Sequence, residues 1–197
     1  MRAFKGVARD GTNRLGKGKI KYEAGKNYSE EHSKTVAAGF HCCENPMECL
    51  SYYNLDSDRF FIVDAGGSID EDDSERIACT ELKVIAEMTL AEFAMESMLY
   101  IVSHPYRKKW EQTHTGVKVA KEKAEATLIA IARGVRPVVR GTTGTFLGLI
   151  EEERKTGTIL RAGMKKVDGK KIRADVWYTF DWNGGFREAG DWEVDEK

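Results

Sequence analysis

The spacing of apolar residues changes twice along this chain, and that change limits the folds open to it. From Arg2 to about Met88 apolar side chains come in short runs separated by turn formers. Arg2–Ala8 carries Phe4 and Val7, Lys19–Ala24 carries Ile20 and Tyr22, and Phe40-His41-Cys42 and Arg59–Ala65 follow. Runs of this length and period are those of strands. Arg76–Met88 reads as a longer strand after the acidic loop Asp70–Glu75. Asn45-Pro46 marks the start of a short helix over Pro46–Tyr53, because Asn caps free amides and Pro loses no hydrogen bond at the first helical position.

Between Leu90 and Arg133 the spacing becomes helical. Thr89 and Glu92 form a capping box, and the apolar face from Leu90 to Val102 predicts a buried helix to about His104, where Pro105 interrupts it. Val117, Ala120, Ala124, Leu128 and Ile131 share one helical stripe. Lys118/Glu122 and Lys121/Glu125 lie four residues apart, and Gly134 supplies a stop. A second helix is therefore predicted over Val117–Arg133.

Alternation returns in the last third. Thr145–Ile150 and Thr158–Val167 read as strands, and Asp168-Gly169 and Asn183-Gly184 are hairpin signals. Val176, Tyr178, Phe180 and Trp182 fall on one face, expected to be buried against the two helices, with Trp177 opposite. The order predicts an α+β fold in one domain over residues 1–197. Its parts are β-rich over 1–88, helical over 89–136 and built of antiparallel hairpins over 137–197.

A chain of 197 residues can bury a core without disulfides or a metal. Its four cysteines, Cys42, Cys43, Cys49 and Cys79, are expected to be reduced, as in the cytoplasm. Adjacent cysteines on a strand point to opposite faces, which argues against a zinc site, and nothing in the sequence calls for a cofactor. The formal net charge of -1 gives no general pull toward nucleic acid or anionic membranes. No apolar run reaches the roughly 20 residues of a membrane span, and the first residues lack the apolar stretch of a signal peptide.

Candidate binding residues are the basic run Arg107-Lys108-Lys109 leading into Trp110, and Trp177. A cation beside an indole can hold a phosphate and stack on a base, and an indole outside the core pattern marks a recognition surface. Trp192 also stands outside that pattern. Gly141–Thr145 reads as a tight turn, since it lacks the Lys-Ser/Thr ending of a phosphate loop.

Ala3-Phe4-Lys5-Gly6, Tyr22–Tyr28 and Gly39-Phe40-His41-Cys42-Cys43-Glu44-Asn45-Pro46 through Tyr53 resemble a family of uncharacterised phage and prophage proteins. Lys166–Ile172 with Asp175–Tyr178 is similar to the usual end of that family. The resemblance implies a protein of the host cytoplasm, working as an accessory or binding protein on a host process such as defence. A host protein or a small molecule such as a nucleotide is the partner it implies. The layout of Lys5-Gly6 and Gly39–Tyr52 is also similar to ADP-ribosyltransferases, with Lys5 where those enzymes carry Arg or His. That second likeness implies catalytic roles for Lys5, His41 and Glu44 near a nicotinamide pocket.

Overall fold

Short aromatic and β-branched runs with turns between them pair locally, and here they close on themselves. The computed structural model describes residues 1–15, 18–34, 38–71, 76–107 and 109–195, so Lys108 and most of the acidic loop lie outside the described residues. The chain forms two compact units, Met1–Phe93 and Ala94–Lys197.

The first unit contains β1 (Arg2–Val7), β2 (Asn27–Ser29), β3 (Phe40–Cys43), β4 (Arg59–Glu71) and β5 (Arg76–Glu87). β1 lies antiparallel to both β3 and β4, and β5 is also antiparallel to both. These four strands therefore form a closed barrel, and closure is what removes exposed edges from a sheet. β4 and β5 are 13 and 12 residues long, and register shifts in their pairing bend them around the wall. One shift sits at Gly67, which has φ +68 and whose added Cβ would strike the Thr80 hydroxyl. Ala3, Val7, Phe40, Cys42, Phe61, Val63, Ile77 and Leu82 fill the interior together with Tyr22.

Tyr22 reaches that interior from a loop, where a strand over Lys19–Ala24 was expected. The Asn13 side chain organises the loop, donating to the Leu15 and Gly18 carbonyls and accepting from the Ile20 amide at 2.7 Å. The helix signal at Asn45-Pro46 gives a 3-10 helix over Pro46–Ser51, with the Asn45 side chain accepting from Met47 N at 3.0 Å.

The helix α1 (Leu90–Ser103) begins at the expected capping box. Thr89 N donates to the Glu92 carboxylate at 2.8 Å, and Glu92 N to the Thr89 hydroxyl at 3.2 Å. Beyond it come β6 (Gln112–His114), β7 (Val117–Ala126), β8 (Ile129–Gly141), β9 (Phe146–Glu152), β10 (Ile159–Lys166), β11 (Tyr178–Phe180), β12 (Phe186–Glu188) and the short α2 (Asp191–Asp195).

The predicted helix over Val117–Arg133 is not a helix, and the α+β assignment falls with it. Among the described residues there are three short helices in a β-rich chain. β7, β8 and β9 are parallel neighbours, with Val117 beside Ile129 and Ile129 beside Phe146. Parallel strands ordinarily need a long crossover. Here the connections are only Thr127-Leu128 and Thr142–Thr145, so β7 to β9 are successive turns of a coil.

The coil corner is built by Glu122, the residue expected to support a helix. It has φ +61, and its carboxylate accepts from the amides of Val135 at 2.9 Å and Arg136 at 3.3 Å. Gly134 faces that carboxylate where a Cβ would collide with it. A helix would have buried one stripe, whereas these rungs bury two faces. Gly148 lies so close to Ile131 and Met98 of α1 that a Cβ would not fit on one face. On the other, Ala120, Ala130, Ala132, Leu147, Leu149, Tyr178 and Phe180 form one cluster.

The Asp168-Gly169 hairpin is also absent. The Asp168 carboxylate accepts from the successive amides of Lys170, Lys171 and Ile172, which closes a loop and leaves no partner strand. Asn183-Gly184 does turn a hairpin, between β11 and β12. No helix among the described residues is long and apolar enough to cross a membrane.

Candidate partner-binding surface

Lys5 shares its strand face with Ala3 and Val7, so its side chain enters the barrel, where the residue is only 6% exposed. Its amine donates to the His41 carbonyl at 2.6 Å and lies 4.4 Å from the centre of the Tyr22 ring. Burial pushes its pKa below the usual lysine value. His41 alternates with the inward Phe40 and Cys42, which puts its imidazole on the other side of the wall. Burial and then the Lys5 charge lower the pKa of that imidazole. The structure thus brings the Lys5 amine to the backbone of His41, not to its ring, and Glu44 lies in the turn beyond β3.

All four cysteines are buried free thiols. They form two hydrogen-bonded pairs, Cys42 with Cys79 and Cys43 with Cys49. The bond to its partner and burial hold the Cys42 and Cys43 thiols well above their ordinary pKa, so both are protonated at neutral pH. Among the described residues no group of three or more His, Cys, Asp and Glu side chains is arranged to hold a metal ion. An open groove of about 530 Å³ beside β2 and β5, with Tyr28, Asp64, Glu81 and Lys83 among its walls, takes in none of Lys5, His41 and Glu44.

The second unit turns its aromatic residues differently. Trp177 is half-buried, with the Lys123 amine 4.9 Å and the Arg140 guanidinium 4.7 Å from its ring. Lys123 also donates to the Val194 carbonyl at 3.0 Å, and Arg140 to Glu125 at 2.7 Å. Trp192 on α2 is 54% exposed under the Arg136 guanidinium, and α2 is held by a bidentate Arg187–Glu193 pair. Trp177 and Trp192 therefore belong to one aromatic and cationic edge.

Trp110 and Arg107 have other partners. Trp110 lies under Arg133, which is itself buried and bonded to Glu152 and the Pro105 carbonyl, both at 2.6 Å. Arg107 turns back over the Tyr100 ring, and Lys109 is exposed.

The most exposed aromatic is one that alternation assigned to the core. Trp182 is 100% exposed, because β11 ends at Phe180 and a loop begins at Asp181. That loop is fixed from three sides. The Asp181 carboxylate accepts from Asn183 N and Gly185 N, both at 2.8 Å. Asp181 N donates to the Gly185 carbonyl, and Arg161 donates to the Asp181 carbonyl at 2.6 Å. Arg161 is itself anchored by Glu151 and lies over the Phe180 ring. An indole in full contact with water stands on a braced hairpin tip.

Residues 1–96 match the family model of a domain of unknown function, DUF7666. The match takes in the whole barrel unit and leaves the coil outside it. No curated protein and no solved structure matches the chain. The aromatic edge therefore stands on its own geometry. The sequence signal that could have exposed Trp182 was its place between Asp181 and Asn183-Gly184, since Asp and Asn-Gly favour a turn over strand continuation.

Proposed function

We propose that this chain is a phage- or prophage-encoded binding protein of the host cytoplasm that engages a host protein through the coil unit, with Trp182 as the inserted anchor. The observation that carries this reading is the full exposure of Trp182 on a tip whose backbone is already ordered. Tryptophan is enriched among residues that dominate interface energy, and a preformed tip avoids the ordering cost of binding. Trp192 and the Arg136, Arg140 and Lys123 cations would form the polar and aromatic rim. The origin and compartment rest on the resemblance of the Gly39–Pro46 and Lys166–Tyr178 segments to phage and prophage proteins. No observation favours the transferase reading over this one, because Lys5 faces the barrel interior.

Tagged wild-type protein and Trp182→Ala are to be incubated with host extract and the captured proteins quantified by mass spectrometry. One host protein enriched near stoichiometry by wild type should fall about 30-fold or more with Trp182→Ala, the loss of an interface hot spot. Equal capture by both would remove Trp182 from the interface.

A further inference from the structure

We infer that an extended, acidic segment of the partner protein adds as a strand to the outer edge of β10. This rests on the reading of the coil unit as a protein-binding unit, and it names the chemistry of what is bound. β10 ends the sheet order β10-β9-β8-β11-β12, and among the described residues its backbone pairs with β9 alone. From Arg161 to Lys166 that ladder runs without interruption, against Glu151 to Phe146. The backbone groups turned away from β9 have no strand to meet, and such a row of N–H and C=O groups is a template for another strand. Leu160, 60% exposed where the register shifts between Ile159 and Arg161, adds an apolar contact at the start of the edge.

Charge selects the occupant. Residues 154–173 hold eight Lys and Arg and one acidic residue, Asp168. The Asp168 carboxylate is taken up by the amides of Lys170, Lys171 and Ile172. Arg161 is paired with Glu151, and Arg173 with Glu188. The other cations, Arg154, Lys155, Lys165, Lys166, Lys170 and Lys171, are exposed and make no ion pair among the described residues. Arg154 and Lys155 lie in the turn that opens β10, where the Glu153 carboxylate accepts from the amides of Lys155 at 2.9 Å and Thr156 at 2.7 Å. Lys165 and Lys166 close the strand. Bonds from the Asp168 and Gly169 amides to the Ile172 carbonyl fold Lys170 and Lys171 into a tight loop directly after them. The edge is therefore basic at both ends. Two copies of β10 would set cation against cation in either direction, which is destabilising across a strand pair. Phosphates would meet the lysines but offer no donor to the outward carbonyls, and a peptide backbone supplies one. An acidic strand answers both the charge and the ladder.

The probe is a labelled peptide of alternating Glu and Val, as long as the 8 residues of β10. Fluorescence anisotropy against the full chain should show saturable binding that weakens with added salt. The same peptide N-methylated on adjacent central residues keeps its charge but blocks both of its edges, and it should bind roughly tenfold or more weakly. Lys165→Glu/Lys170→Glu, folded by circular dichroism, should lose a similar factor, and a peptide of alternating Lys and Val should not bind. Backbone amide shifts in NMR spectra of the complex should be largest along Arg161–Lys166. No binding of the acidic peptide would overturn the inference. So would equal binding of its N-methylated form, which would reduce the contact to charge alone, or tighter binding of oligothymidylate than of the acidic peptide. The assay needs no host protein, so its failure and that of the Trp182 capture experiment are told apart.

Discussion

The barrel and the coil treat their cations and aromatic rings in opposite ways. In the barrel unit a lysine is drawn inside, against Tyr22 and the His41 carbonyl, and the strands close around it. In the coil unit, arginines and lysines lie over tryptophans at the edge, and one indole projects fully into water. Formal charge divides the same way. Residues 1–93 hold 12 Lys and Arg against 17 Asp and Glu, and residues 94–197 hold 19 against 15. A closed barrel has little backbone or apolar surface left to offer, whereas a coil leaves its corners and tips available. The difference supports the proposal that recognition belongs to the second unit.

The largest effects should come from the two cores. Phe61→Ala in the barrel and Phe180→Ala in the coil should each cost about 3–5 kcal/mol in denaturant melts, the usual range for emptying a buried phenyl site. A cost below about 1 kcal/mol for either would mean that its core is loosely packed and the contrast between units misplaced.

Lys5 offers a sharper test, because the barrel buries its amine. Its pKa is lowered in the folded chain, so between the folded and unfolded values the unfolded state binds more protons. The destabilisation is complete below the folded pKa and fades as pH rises toward 10.5. Lys5→Met should therefore stabilise the barrel by about 1–3 kcal/mol at neutral pH, with the gain shrinking in alkali. Burial and their neighbours hold Cys42, Cys43 and Tyr22 above their ordinary pKa, so they too make stability depend on alkaline pH, and the quantity to follow is the difference between wild type and variant. A loss of stability in Lys5→Met at neutral pH would mean that the amine holds the barrel together.

Trp177→Ala should cost about 1–2 kcal/mol, from two cation–ring contacts and partial burial. A loss equal to that of Phe180→Ala would make Trp177 a core residue and shrink the recognition edge.

The runs of β1, β3 and β5 and the first half of β4 were legible in sequence, being apolar and bounded by turn formers, but their closure into a barrel was not, since it depends on pairings distant in sequence. The capping boundaries at Asn45 and Thr89 were legible, since a cap is a local hydrogen bond. The coil was not. Lys118/Glu122 and Lys121/Glu125 have helical spacing, and Ala120 and Ala124 suit a helix. Yet Val117, Val119, Ile129 and Ile131 also alternate with period two, and tertiary stacking decides between the patterns. At the candidate surface, the place of Trp177 off the core alternation agrees with its partial exposure. Trp182 was missed because the alternation was carried two residues beyond the end of its strand.

The most direct test of the account pairs stability with binding in a single variant. Trp182→Ala should change unfolding free energy by no more than about 0.5 kcal/mol, as expected for a side chain fully in water. The same protein should lose capture of the host partner that wild type retains. Unchanged capture, or destabilisation as large as that of a core residue, would contradict the assignment of recognition to the coil unit.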